Sequence, residues 1–185
     1  VGMRASQSNS TKLDGVRVPA DRIIRRLDPG PNLDLLIFAI SSNFHILLSA
    51  VYTGIGQRAL ELAVESAGKR RSARTGISGD QNPDTRWKIA DAAISQDAML
   101  PQLDVLAREV DELVDRGAQW FRAIVGLKLR STANARFVVD QAIRIAGGSS
   151  YSASSELGRL YRDVLAGGFH PSNEDSVHAT VATAL

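Results

Sequence analysis

The sequence contains no cysteine. Disulfides, thiolate metal sites and a cysteine nucleophile are therefore excluded. Histidine is nearly as scarce. His45, His170 and His178 are scattered along the chain, and no HExxH-like spacing joins them, so a zinc site would have to be completed by carboxylates. Aromatic residues make up only 5%. The formal net charge of +2 is too small to argue for nucleic acid. No apolar run is expected to reach the roughly 18 residues of a membrane span, and an amino end that is polar from Arg4 to Lys12 gives no signal-peptide pattern. What is abundant is alanine, leucine, valine and arginine, in a chain that is 44% hydrophobic and 23% charged. That composition favours helices over a sheet sandwich. The 185 residues suffice for one domain with a real core, or one domain and a small appendage. The first expectation is a soluble, cytoplasmic, mainly helical protein with neither nucleic acid nor membrane as partner.

The opening stretch differs from the rest. Lys12-Leu13 and Val16-Arg17-Val18 alternate on either side of Asp14-Gly15, which predicts a short strand, a turn and a short strand. A lone hairpin is marginal in water, and the chain offers no further strands. Val1 is not an initiator methionine, so the expectation is a chain that begins inside a β-region, as a fragment would. LDPGPN (27 to 32) reads as a loop from its prolines and glycine.

From there the pattern is helical. Ile37, Ile40, Phe44, Leu47, Leu48, Val51, Ile55, Ala59 and Leu62 recur at helical spacing. Gly54 and Gly56 inside that pattern predict close approach of another backbone, since each glycine costs a helix roughly 1 kcal/mol. A break over 69–82 follows, with Asp84 as the expected cap of the next helix. That helix carries Trp87, Ile89 and Ile94, should kink at Pro101, and continues through Leu103, Leu106, Val110 and Leu113. A third run extends from Trp120 to Ile145 and stops at Gly147-Gly148. Shorter helices are predicted over 156–166 and 172–185. The fold class expected is mainly α: an antiparallel up-down helical bundle over 28–185, preceded over 1–27 by a short β-hairpin left from a β-domain.

Three stretches could carry chemistry. KRRSAR (69 to 74) places four positive charges at a helix carboxyl end. Dipole compensation explains one or two of them, and a phosphate or pyrophosphate site would use the others. QAIRIAGGSSY (141 to 151) ends a helix in paired glycines, either as a simple stop or to let backbone lie close to a ligand. In GGFHPSNEDS (167 to 176), Pro171 holds His170 extended, Ser172 is the expected cap, and Asp175 completes a capping box. The functional alternative is that His170, Glu174 and His178 lie on one side, with Glu174 and His178 four residues apart. A titratable group near neutral pH would then be at hand for acid–base work.

Three segments, in this order, resemble the carboxyl-terminal half of the acyl-CoA dehydrogenase family. They are GMRASQSNSTKLDGVRVPADRII, the long helix ending in KRR, and AIRIAGGSSY. The resemblance covers essentially the whole chain. It implies a flavoprotein made of a helical domain, a β-domain and a carboxyl-terminal bundle, of which this chain holds the last β-domain strands (1–27) and the bundle (28–185). It implies FAD as cofactor, a homo-oligomer in the family's usual tetrameric arrangement of a dimer of dimers, and an acyl-CoA or other small molecule as substrate. By position, Arg70 corresponds to the family's arginine on the FAD pyrophosphate, and Gly147 and Gly148 to its cofactor glycine pair, with Arg144 where a glutamine is common. The family's glutamate base precedes the last helix, where this chain has Phe169-His170-Pro171-Ser172. The helix that carries the base in some relatives here shows His45 and no acid. His170 and Glu174 are therefore the candidate catalytic groups. The reaction implied is α,β-dehydrogenation of an acyl thioester, with a flavin-dependent monooxygenase of the same fold as the alternative. A non-catalytic helical assembly module is the alternative from another class.

Overall fold

The structure is a computed structural model that describes residues 2–28 and 34–185. The predicted loop at 27–32 lies mostly outside the described residues. Helix α1 (Leu35–Lys69) starts where the Asp34 side chain accepts from the Leu36 amide, a side-chain N-cap. From Leu35 to Gln57 it carries no charged residue. It is long and apolar enough to cross a membrane by length and composition alone, with a mean hydropathy of 1.8 over 18 residues, which corrects the expectation that no run reaches that length. Ser41, Ser42, Asn43 and His45 interrupt the apolar letters but not the helix. Its buried positions include Ser42, His45, Ser49, Tyr52, Thr53 and Gly56, packed mainly against α4 (Gln119–Ala146).

Between them run α2 (Pro83–Asp97) and α3 (Met99–Asp111). The single kinked helix expected here is two helices, and Pro101 accounts for the break. Its ring clashes with the carbonyl four residues back, which belongs to Asp97, where α2 ends. Asn82, not Asp84, caps α2, accepting from the Asp84 and Thr85 amides, because Pro83 occupies the first helical position that proline favours. Phe38 stacks edge-on against Trp120 at one end of the bundle, and Arg70 reaches the Ile145 carbonyl at the other. Helices α1 and α4 therefore run in the same direction, with α2–α3 returning between them and α5 (Glu156–Val164) returning after α4. Helix α6 (Glu174–Thr183) closes against α4 through Val177. The up-down bundle was the predicted arrangement.

The core is an alanine-rich seam. Ala59, Ala63 and Ala67 of α1 meet Ala135, Val138, Ala142 and Ile145 of α4, with Leu157, Leu160 and Val164 of α5. A second cluster joins Ile46, Leu106, Trp120, Ile124 and Leu127. Gln96 pins the seam. Its amide donates to the Thr53 carbonyl at 2.9 Å and accepts from Asn134 at 2.8 Å. Gly56 is closely approached, but by the Gln96 side chain and not by the expected backbone: a Cβ there would sit 2.4 Å from Gln96 Oε1 and 3.6 Å from the Ala135 Cα, while Gly54 faces open space.

The predicted hairpin over residues 12–18 is absent. Gly15 does adopt the left-handed turn conformation (φ 62). Yet Leu13, Val16 and Val18 are 76%, 64% and 60% exposed, so the alternation buries nothing that would hold a ladder. The described β-pairing is instead a single bridge, Arg71 to Ser78.

Candidate functional site

The loop between α5 and α6 is built around a lysine. Lys128 of α4 has no exposed side chain. Its Nζ donates to the carbonyls of Gly167 (3.0 Å), His170 (2.9 Å) and Ser172 (2.8 Å). Three donors meet three acceptors, which satisfies an ammonium completely. Burial pushes the lysine below its ordinary range, while the three carbonyl dipoles favour the charged form. A neutral amine would turn a lone pair toward a carbonyl, so the cage fits the cation.

Two residues of α1 complete the fixation. Tyr52, fully buried, hydrogen-bonds His170 Nδ1 through its hydroxyl at 3.1 Å. His45 donates from Nδ1 to the Ser41 carbonyl at 2.7 Å and accepts the Ser172 amide at Nε2, 3.4 Å. Those two bonds fix His45 as the neutral Nδ1–H tautomer. Burial and then the Lys128 charge hold both His45 and His170 below the usual imidazole range, with the Ser41 bond opposing for His45. Burial, then the Asp163 charge, pushes the Tyr52 phenol up to about 12.

This arrangement corrects the predicted cap. Ser172 gives its amide to His45 and its carbonyl to Lys128, so it is not free to start the helix. Asn173 caps α6 instead, accepting from the Ser176 amide. Glu174 and His178 are neighbours on α6, as their spacing required, but His170 and Glu174 line different cavities. His170 lines a cavity of about 360 Å³ under residues 2–9. Glu174 lines a different one of about 500 Å³, with Arg136, Asp140 and Tyr161. The exposed His178 ring bonds the Glu174 carbonyl rather than its carboxylate.

The second constellation joins two stretches that are distant in sequence. Arg70 Nη1 donates to the Ile145 carbonyl at 3.0 Å. A Cβ on Gly147 would sit 2.3 Å from the same nitrogen. Gly147 has φ 70 and ψ −154, a backbone region essentially restricted to glycine. Gly147 therefore lies flat against an exposed guanidinium, and Gly148 faces open space. Arg144 points elsewhere and pairs with Asp140 at 2.9 Å. The remaining charges of KRRSAR are partly committed locally, Lys69 to Glu65 and Arg71 to the Gly76 carbonyl.

Sequence reasoning missed Lys128 and Tyr52. The available signal was register: Ile124, Lys128, Ser131, Ala135, Val138 and Ala142 alternate by four and three and are all buried, so Lys128 occupies a core slot.

A family model described as "Acyl-CoA dehydrogenase, C-terminal domain" matches residues 46–174. The chain is 33% identical over 176 residues to the amino sugar nitrososynthase DnmZ of Streptomyces peucetius, covering 94% of this chain and 43% of that protein. It is 28% identical to the acryloyl-CoA reductase (NADH) of Anaerotignum propionicum, covering 88% of this chain and 39% of that one. The crystal structure of a nitrososynthase from Micromonospora carbonacea var. africana superimposes with a TM-score of 0.69 at 27% identity, over 92% of this chain and 46% of that one. The chain thus spans less than half the length of these relatives.

Proposed function

This chain belongs to the acyl-CoA dehydrogenase family, whose C-terminal domain it carries, and from that membership we propose that it forms the C-terminal part of an FAD-dependent oxidoreductase that oxygenates a small substrate. The observation that carries the reaction type is the α5–α6 loop. Residues 165–173 contain no carboxylate, and the groups converging on them are Lys128, His45, Tyr52 and His170. Removing a weakly acidic α-proton needs a positioned base with a free lone pair; here Lys128 is a caged cation, His45 Nε2 already accepts the Ser172 amide, and His170 Nδ1 is bonded to Tyr52. The 33% identity to an amino sugar nitrososynthase points the same way and suggests an amine-bearing substrate. Dehydrogenation of an acyl thioester is the second reading, favoured by the family description and the acryloyl-CoA reductase likeness. His170 would then have to act as the base.

The residues present fit the cofactor. Arg70 offers an exposed guanidinium for a pyrophosphate. Gly147, where a side chain would fill the space against it, and Gly148 let backbone approach. Reduced flavin with dioxygen, when bound, supplies the oxygen-transfer chemistry. The chain's own residues hold the cofactor at Arg70 and Gly147, and fix the loop that faces the substrate at Lys128, Tyr52 and His45. Assembly into a homo-oligomer, a tetramer in the family's arrangement, is part of the same proposal, as is a cytoplasmic location. It is supported by an apolar stripe on α1, where Ile40, Leu47 and Val51 are 60%, 64% and 50% exposed.

The test uses the complete flavin-loaded protein. Anaerobic acyl-CoA that leaves the flavin unbleached, together with oxidation of an amine only when reduced flavin and oxygen are supplied, is the expected result. Bleaching by acyl-CoA without oxygen would establish dehydrogenation instead.

A further inference from the structure

Among the described residues, Lys128 is the one lysine or arginine withdrawn wholly from solvent, and it holds the backbone of the residue whose ring Tyr52 holds. That double grip decides what His170 can do. Tyr52 has no exposed surface, and among the described residues its hydroxyl bonds only His170 Nδ1. If Nδ1 carried the ring hydrogen, the phenol hydrogen would be left in the core without an acceptor, at a cost of about 1–3 kcal/mol. The phenol therefore donates, Nδ1 accepts, and the ring hydrogen sits on Nε2. A doubly protonated ring would oppose the Tyr52 donor and face the Lys128 charge. Nε2 has no hydrogen-bond partner among the described residues, yet it is not a buried unpaired atom, and the residue lines the cavity under the Gly2–Asn9 segment.

We propose that Lys128 and Tyr52 are positioning residues that fix His170 as a hydrogen-bond donor, presenting Nε2–H to that cavity to bind an acceptor oxygen of the substrate. His170 does not serve as a base. The inference rests on the reading that this loop faces the substrate. The charged and titratable groups around the ring are Tyr52 and His45 from α1, Lys128 from α4, Arg4 across the cavity, Asp163 of α5 beyond Tyr52, and Glu174 of α6 in the adjoining cavity. Burial and then the Lys128 charge oppose protonation of His170.

The test reads the ring directly in the full-length protein, by nitrogen chemical shifts of labelled histidine. The expected wild-type signature is the Nε2–H tautomer near neutral pH, titrating below the ordinary imidazole range. Lys128→Met removes the nearby charge and Tyr52→Phe removes the donor to Nδ1, so each should raise the titration midpoint. Tyr52→Phe keeps the core volume and carries the test if Lys128→Met does not fold. Kinetics supply the second arm. His170→Ala should lower kcat/KM about a hundredfold. His170→Gln keeps an N–H donor but no base at neutral pH, and should lose less than about tenfold. An Nδ1–H tautomer in the wild type, an unmoved midpoint in the variants, or a Gln variant as impaired as the Ala variant would each overturn the proposal. The ring measurements need no substrate, so flavin bleaching by acyl-CoA would defeat the oxygenation reading while leaving the donor assignment to stand or fall by itself.

Discussion

Replacing Gly147 by alanine should damage stability and cofactor binding together, and the size of each effect follows from the site. At φ 70 and ψ −154 an L side chain is strained by about 1–3 kcal/mol. The new Cβ would also stand 2.3 Å from Arg70 Nη1, so the guanidinium must move and give up its bond to the Ile145 carbonyl. That bond is made by an exposed residue and contributes only about 0.5–1 kcal/mol. The two terms add to about 1.5–4 kcal/mol of lost unfolding free energy, measurable by urea titration. Arg70→Met isolates the other half. It removes the charge without the strain, so stability should change by less than about 1 kcal/mol. Loss of one charge-assisted bond to a phosphate should nevertheless weaken FAD by about 10- to 100-fold. Equilibrium binding of FAD to the complete apoprotein, followed by flavin fluorescence, separates the two variants. Wild-type FAD affinity in both would refute the assignment of this corner to the cofactor, and an undisturbed Gly147→Ala stability would refute the steric argument.

Acidification should destabilise the fold through His45 and His170. Both are held below the ordinary imidazole value in the folded state, so between that lowered range and about 6.5 the unfolded chain binds more protons. Stability should fall as pH drops through 6.5 and level off below the folded values, and urea midpoints for a His45→Gln/His170→Gln variant should show a flatter dependence. Gln96→Leu strands the Thr53 carbonyl and the Asn134 amide in the seam and should cost about 2–4 kcal/mol by the same titration; a neutral outcome would show that the seam rehydrates. Leu47→Glu places a charge on the exposed α1 stripe and should shift the complete protein toward smaller species in light scattering, with secondary structure unchanged.

The helices were legible because their signals are local. Periodicity marked α1 through α4, the glycine pair marked the end of α4, and proline marked the α2–α3 break, although the helix parts at Ala98 and not at Pro101. What was not legible depends on partners that carry no sequence signature. The three acceptors around Lys128 are backbone carbonyls, which every residue possesses, so nothing in GGFHPS announces a cation cage. The cage in turn displaced the predicted cap, because Ser172 is already engaged at both its amide and its carbonyl. The same reasoning applies to α1, whose letters are apolar nearly all round. Its face carrying Ile40, Leu47 and Val51 has the spacing of a core stripe, yet it is the exposed one. The face against α4 carries Ser42, Ser49, Thr53 and Gly56, small residues that let two helices approach closely; Ser42 and Ser49 bond the Ala39 and His45 carbonyls of their own helix, while the Thr53 hydroxyl is buried without a partner among the described residues. Hydrophobicity identifies a helix that must be covered on more than one side, and packing alone decides which side the domain covers itself. Tyr52, His45 and Ile46 are drawn inside, but Ile40, Leu47 and Val51 were left outside, which is where a second subunit would find them. The Leu47→Glu measurement therefore tests more than assembly. If that stripe proves indifferent to charge in the complete protein, the inverted burial of α1 has lost the one physical reason offered for it.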